Sequence, residues 1–322
     1  MQFIVFSRNQ QEFSYLYFLF TDVKKHDFGM KISLFAFFLF TLFNSSGLGQ
    51  NRQEADSLRH ELAIAKQDTN RVLILVELAI NYQNANPDSA MLYGKQSLDL
   101  AQKITFLRGQ ARAYHSLAII NSLIGDMSKG FDLVFKSLQI AEENNLPYEA
   151  ARCHNLLGFF FSSNLGDDLK AMEEYRRGLA IIKTAPNSRE KLIQEAQILR
   201  NIGNVYREKK KLESASSYYR QALKIQREAN LKITSTQINN LGRIEFLLGH
   251  PDKAIEYSRQ AIRLCKNDND HRFASLIYNT LATYFKDLNQ RDSAIYYSKI
   301  GLTEAQDIDF KDGLLRNSRL FQ

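Results

Sequence analysis

Residues 198–225 read ILRNIGNVYREKKKLESASSYYRQALKI, and their spacing decides the fold. Ile198, Ile202, Val205 and Tyr206 recur at helical intervals, and after a polar break Ala215, Tyr218, Tyr219, Ala222, Leu223 and Ile225 do so again. Apolar residues at that period line one face of an α-helix, so the stretch predicts two helices joined by a short turn. Small residues at Gly203, Ala215 and Ala222 let the two backbones approach where a larger side chain would hold them apart.

The pattern returns along the chain. Leu78-Ala79, Leu117-Ala118, Leu157-Gly158, Ile202-Gly203, Leu241-Gly242 and Leu281-Ala282 follow one another at steps of 39, 40, 45, 39 and 40 residues. Beside them run two ladders of small residues, Ala90, Gly130, Ala171, Ala215, Ala254, Ala294 and, seven residues after each, Ser97, Ser137, Gly178, Ala222, Ala261, Gly301. A period in this range marks a solenoid, in which each unit buries its apolar face by stacking on its neighbours. An aromatic stands four residues after the start of most doublets (Tyr82, Phe161, Tyr206, Phe285) and is expected to fill the wedge between the helices. Asn121 and Glu245 depart from this, with Phe246 expected to compensate beside Glu245. All four prolines, Pro87, Pro147, Pro186 and Pro251, fall between predicted helices, and Gly125, Gly166 and Gly249 read as helix stops. The reading is all-α: a right-handed α-α solenoid of six helix pairs over residues 69–309, with a capping helix at 50–68.

The Leu-Gly/Ala doublets, the aromatics after them and runs such as Ala215, Tyr219, Ala222 resemble the tetratricopeptide repeat family. The resemblance covers residues 70–309, with two departures: no tryptophan, and a period nearer 40 than the family's usual 34. The extra residues are expected between units, as longer helices or loops. The resemblance implies that the first helix of each pair lines a concave face. On that face the implied partner-binding residues are Arg152, Asn155 and Phe159 in unit three, Arg200, Asn201, Asn204 and Arg207 in unit four, and Asn239, Asn240 and Arg243 in unit five. Unit six adds Asn279, Thr280, Thr283 and Lys286. Asn amides offer both donors and acceptors to an extended peptide, and Arg forks match carboxylates. Arg200, Asn204 and Asn240 also partly resemble a carboxylate clamp, but Leu276 and Thr280 stand where that clamp needs basic residues. An equally open reading is that Asn201 and Asn240 bond between neighbouring helices. The expected partner is a protein or peptide, acidic or polar.

The front of the chain has a different composition. Half of the 22 phenylalanines lie in the first 49 residues. Met30-Lys31, an apolar run from Ile32 to Phe43 and small residues up to Gly47 and Gly49 describe a signal peptide over 30–49, with cleavage before Gln50. Residues 1–29 read as a leader upstream of the true start at Met30. Export to the periplasm or cell envelope follows from this reading, with membrane attachment only through an uncleaved signal or a further C-terminal part. At the other end, residues 308–313 match residues 104–109, which places Phe321-Gln322 on a doublet and residues 310–322 in the first helix of a seventh unit. Exported repeats of this period resemble the sensory regions of bacterial histidine kinases and helix-turn-helix regulators. The alternative expectation is therefore a sensor module whose output part follows in the genome.

Chemistry-bearing motifs are lacking. The net charge of +7 is spread out, the longest basic run being Lys209-Lys210-Lys211, which is no nucleic-acid footprint. Cys153 and Cys265 lie nearly three units apart and are expected as buried free thiols. His115 and His154 occupy successive first helices without a third ligand, and no phosphate loop or nucleophile motif occurs. The expectation is no enzyme, no cofactor, no metal and no nucleic acid.

Overall fold

The computed structural model describes residues 49–318; the leader, most of the signal segment and Phe321-Gln322 lie outside the described residues. These residues form an all-helical solenoid. After α1 (Gly49–Ile64), the six pairs are α2 (Thr69–Tyr82) with α3 (Pro87–Lys103), α4 (Leu107–Leu123) with α5 (Met127–Glu143), and α6 (Pro147–Phe159) with α7 (Asp168–Thr184). They continue with α8 (Arg189–Glu208) and α9 (Leu212–Glu228), α10 (Ser235–Leu247) and α11 (Pro251–Asn267), and α12 (His271–Asp287) and α13 (Arg291–Gln306). A final α14 (Lys311–Ser318) packs on α12 and α13. None of the helices is long and apolar enough to cross a membrane among the described residues.

The 40-residue period has a simple origin. Seven of the twelve paired helices are 17 residues long, and most of the turns between them take three. The extra residues therefore sit in the helices, which corrects the expectation that they fall between units. The turns are built alike. Thr105, Gly125, Asn145, Gly166, Lys210, Asn230, Gly249, Asn269, Asn289 and Asp309 all have positive φ. In each case the following N–H returns to a carbonyl near the helix end, as Phe106 does to Ala101 (2.8 Å) and Gln290 to Phe285 (2.8 Å). This is the Schellman stop, and asparagine tolerates its left-handed residue better than most non-glycines. Only the three glycines announced it in the sequence. After all of these positive-φ residues but Asn230 the next helix starts within two residues, with Pro147 and Pro251 in its first turn or with Asp126, Asp167 and Asp270 capping backbone N–H groups.

The 45-residue step is a local exception with two sources. One residue is absorbed by a π-helical turn, Phe160–Asn164, that continues α6. The rest goes into the Ala185–Ser188 connection and into α8, which at 20 residues exceeds its counterparts.

The doublets are buried throughout, and what faces them explains their second residue. A Cβ on Gly158 would stand 2.5 Å from the Tyr175 ring, and one on Gly203 2.9 Å from Tyr219. Where the second helix supplies a tyrosine, the first must supply glycine. The wedge aromatics also pair across three of the units: Tyr82 stacks on Tyr93 (5.7 Å between ring centres), Tyr206 on Tyr218 (5.4 Å) and Phe285 on Tyr297 (5.2 Å). Phe161 meets Phe131 at 5.5 Å. Phe246 does not fill the gap left by Glu245. It stacks on Tyr284 of the next unit at 4.1 Å, while Glu245, 1% exposed, accepts from Ser216 (2.5 Å) and pairs with His250 Nδ1 (2.9 Å). Asn121 turns back on its own helix, donating to the Leu117 carbonyl (2.8 Å). Cys153 and Cys265 are free and buried, and burial pushes their thiols up to about 12 and about 11.

Candidate functional site: the first-helix face

The first helices α2, α4, α6 and α8 pack one on the next, and α12 packs on α14. They carry two unlike groups of polar side chains.

The first group is a closed ion-pair network. Arg108 and Arg112 lie one turn apart on α4, Glu149 and Arg152 on α6, and Glu190 in the first turn of α8. Arg108 Nε donates to Glu149 (2.7 Å), and its other nitrogen bonds Glu190. Glu190 Oε1 accepts from both Arg112 (3.0 Å) and Arg152 (3.1 Å). Glu149 is 2% exposed, and Glu190 is half-buried. Burial pushes the Glu190 carboxyl up, but the three guanidinium groups outweigh it and hold the carboxyl below the usual range. His115 stands among them: burial, with Arg152 and Arg112 adding to it, lowers its pKa to about 3, so it is neutral at physiological pH. The network reaches from unit two to unit four across unit three. Neighbour-only contact therefore does not hold here, and the solenoid curves tightly enough for α8 to touch residues of α4.

Of the expected groove residues, Arg152 belongs to this network. Asn155 accepts from Asn201 (2.9 Å), which ties α6 to α8 and favours the interhelix role over ligand contact for that asparagine. Asn204 accepts from the Tyr219 hydroxyl, and Arg207 pairs with Glu208 (2.6 Å). Asn239 is buried, its Oδ1 without a donor.

The second group is open. Among the described residues, Arg200, Asn240, Arg243, Asn279 and Lys286 have side chains that form no hydrogen bond or ion pair with another side chain, and Arg243 and Lys286 are exposed. Arg200 runs into the wedge between α8, α9 and α10, lined by Tyr219, Leu223, Gln226, Gln237, Ile238 and Leu241. Burial lowers the pKa of its guanidinium. Here the first helices α10 and α12 meet through the stacked rings of Phe246 and Tyr284 (4.1 Å), with no ion pair between them.

Sequence reading missed Arg108, Arg112, Glu149 and Glu190. One signal was available: Arg112 and Arg152 stand five residues before their doublets in successive units. Stacked arginines at one register position need acids between them. His115 and His154 do not pair with each other, since His154 bonds Glu174 (2.7 Å). Among the described residues no group of His, Cys, Asp and Glu could hold a metal ion.

The tetratricopeptide repeat model matches residues 196–228 and 238–268. No curated protein matches the chain. Among solved structures, a signal-transduction ATPase (STAND) protein with a tetratricopeptide repeat sensor from Pyrococcus horikoshii is 19% identical with a TM-score of 0.62, over 78% of this chain and 38% of that one. A Rap protein complexed with competence and sporulation factor is 16% identical with a TM-score of 0.55, over 82% and 73%. The apo quorum sensor NprR from B. thuringiensis is 15% identical with a TM-score of 0.53, over 97% and 91%. Identities this low speak for the fold alone. The chain spans well under half of the Pyrococcus protein.

Proposed function

We propose, from the premise that this chain is a tetratricopeptide-repeat protein, that it is a non-enzymatic scaffold whose first-helix face grips an extended acidic or polar peptide segment of a protein partner. The observation that carries this is the open group: Arg243 and Lys286 are exposed and Arg200 is half-buried, all without a carboxylate partner, on helices that also carry the free amides of Asn240 and Asn279. Such a surface offers charge-assisted donors to an acidic side chain and paired donors and acceptors to a peptide backbone. Rap, solved in complex with competence and sporulation factor on a similar fold, is an analogy in support. Export to the cell envelope belongs to the same proposal and rests on residues 30–49. Mass measurement of the mature chain tests that part, a start other than Gln50 counting against it.

The groove reading is tested by probing arrays of acidic, neutral-polar and basic peptides with the purified chain. Retention of acidic and polar peptides, lost in the Arg200→Glu/Arg243→Glu double variant, is the expected outcome. Retention unchanged by both substitutions sinks the reading.

A further inference from the structure

The closed network has bonding capacity to spare. Arg108, Arg112 and Arg152 form ion pairs with two carboxylates, Glu149 and Glu190, while Glu77 acts on Arg152 only through space and His115 beside them is neutral. The Nε of Arg152 is buried with no acceptor from the protein, so the cluster has donor capacity beyond what Glu149 and Glu190 use.

The two acids are held differently. Glu149 sits in mid-network, fully buried between Arg108 and Arg112. Glu190 reaches in from outside, from the first turn of the one first helix that is extended at its start. Its neighbours are anchored elsewhere. Ser188 caps the helix by accepting from the Lys191 N–H (3.1 Å). Lys191 Nζ donates to the carbonyls of Lys183 (2.9 Å) and Ala185 (3.0 Å), and Arg189 donates to those of Ala229 (3.3 Å) and Asn230 (3.2 Å). The backbone around Glu190 is thus secured independently of its carboxylate, which can swing out on its own side-chain torsions while the helix end stays in place. The cluster lies on the same pair of first helices as the Asn155–Asn201 bond, Arg152 being one turn from Asn155 on α6.

We propose that Arg108, Arg112 and Arg152 form an anion-binding site that Glu190 of the same chain occupies in the free protein, and that an acidic side chain of the groove's peptide partner displaces it. The proposal rests on the groove reading and assigns one end of the groove to an Asp or Glu side chain. Glu190 is then an internal competitor that sets the affinity of this end, since any ligand carboxylate must outbid an intramolecular one already in place.

The test uses the full chain and a fluorescein-labelled oligoglutamate peptide at fixed ionic strength, with oligoglutamine as the uncharged control. Glu190→Gln is expected to bind oligoglutamate at least about fivefold more tightly than the unsubstituted chain, the scale of one charge-assisted hydrogen bond. Glu190→Asp, whose carboxylate is drawn back by one methylene, should give an intermediate gain. Adding Arg152→Gln to Glu190→Gln should abolish the gain, and Glu213→Gln, the same charge change at an exposed position, should produce none. Equal binding by the unsubstituted, Glu190→Asp and Glu190→Gln chains overturns the proposal, as does a gain that survives Arg152→Gln. A Glu190→Gln chain without helical circular dichroism overturns it too, because a displaceable carboxylate cannot be required for the fold. A response at Arg200 and Arg243 without one at Glu190 removes this site and leaves the groove reading intact. Absence of oligoglutamate binding by every variant removes both.

Discussion

The two halves of the first-helix face use the same residue types to opposite ends. From α4 to the start of α8, arginines are paired with acids of the same chain, and the helices are drawn together across three units. From the end of α8 to α12, Arg200, Arg243, Lys286 and the asparagines Asn240 and Asn279 stand without acids to meet them. Arginine count alone distinguishes neither half. What differs is whether a glutamate falls within reach in the neighbouring unit, and that depends on curvature.

Removing an acid should separate the halves most sharply. Glu149→Ala takes the fully buried acid from Arg108 and Arg112 and leaves them only the half-buried Glu190, and the expected loss is about 3 kcal/mol. Because Arg108 stays partly solvated, this is the lower end of the usual range for a broken buried pair. Arg243→Ala, in the open half, should change stability by less than about 0.5 kcal/mol. Urea denaturation of both variants checks the contrast, and comparable losses would erase it.

Acid should weaken the closed half. His115 has a pKa near 3 when folded and an ordinary value of 6.5. The unfolded chain therefore binds a proton over that window that the folded chain does not. Stability is then fully present above pH 6.5 and falls by up to about 1.4 kcal/mol per pH unit below it. Glu190 adds to the fall at lower pH, because its depressed pKa gives stability that is present above the ordinary carboxyl value and lost as pH drops through the folded one. His115→Gln should flatten the upper part of this acid limb. An unchanged limb would mean that His115 protonates freely in the folded chain.

Packing offers a finer comparison. Gly158→Ala in unit three should cost about 1–3 kcal/mol by driving a methyl group into the Tyr175 ring. Gly203→Ala in unit four should cost less, since its methyl meets Tyr219 at 2.9 Å rather than 2.5 Å. Thermal melts of the two variants rank them, and the reverse order would show that Tyr175 yields more easily. Last, Cys153 and Cys265 should both resist a thiol reagent in the native chain and react together on unfolding, one thiol in each half with the same outcome.

Much of this architecture was legible in the residues. The doublets, the small-residue ladders and the wedge aromatics name the buried positions of all six pairs, because helix crossing demands small residues at a fixed interval. The three-residue turns were legible only where glycine marked them, since Asn145, Asn230, Asn269 and Asn289 take the same left-handed position without a unique signature. The site was half legible. Register pointed to Arg152, Arg200 and Arg243, but could not tell that the first is neutralised by a glutamate 38 residues later and that the others have no such partner.

The sequence by itself determined that the chain is a helical solenoid, how many units it has and which side chains are buried. Those are local consequences of periodicity, repeated until they leave no alternative. Only the tertiary structure decided which charges are spent inside the molecule and which are left for a partner. A contact between Glu190 and Arg108 spans 82 residues and an intervening unit. Glu190 belongs to the extra first turn by which α8 starts earlier than the other first helices, and the fold brings that turn to α4. Curvature accumulates from many small angles between helices, and no single residue encodes it.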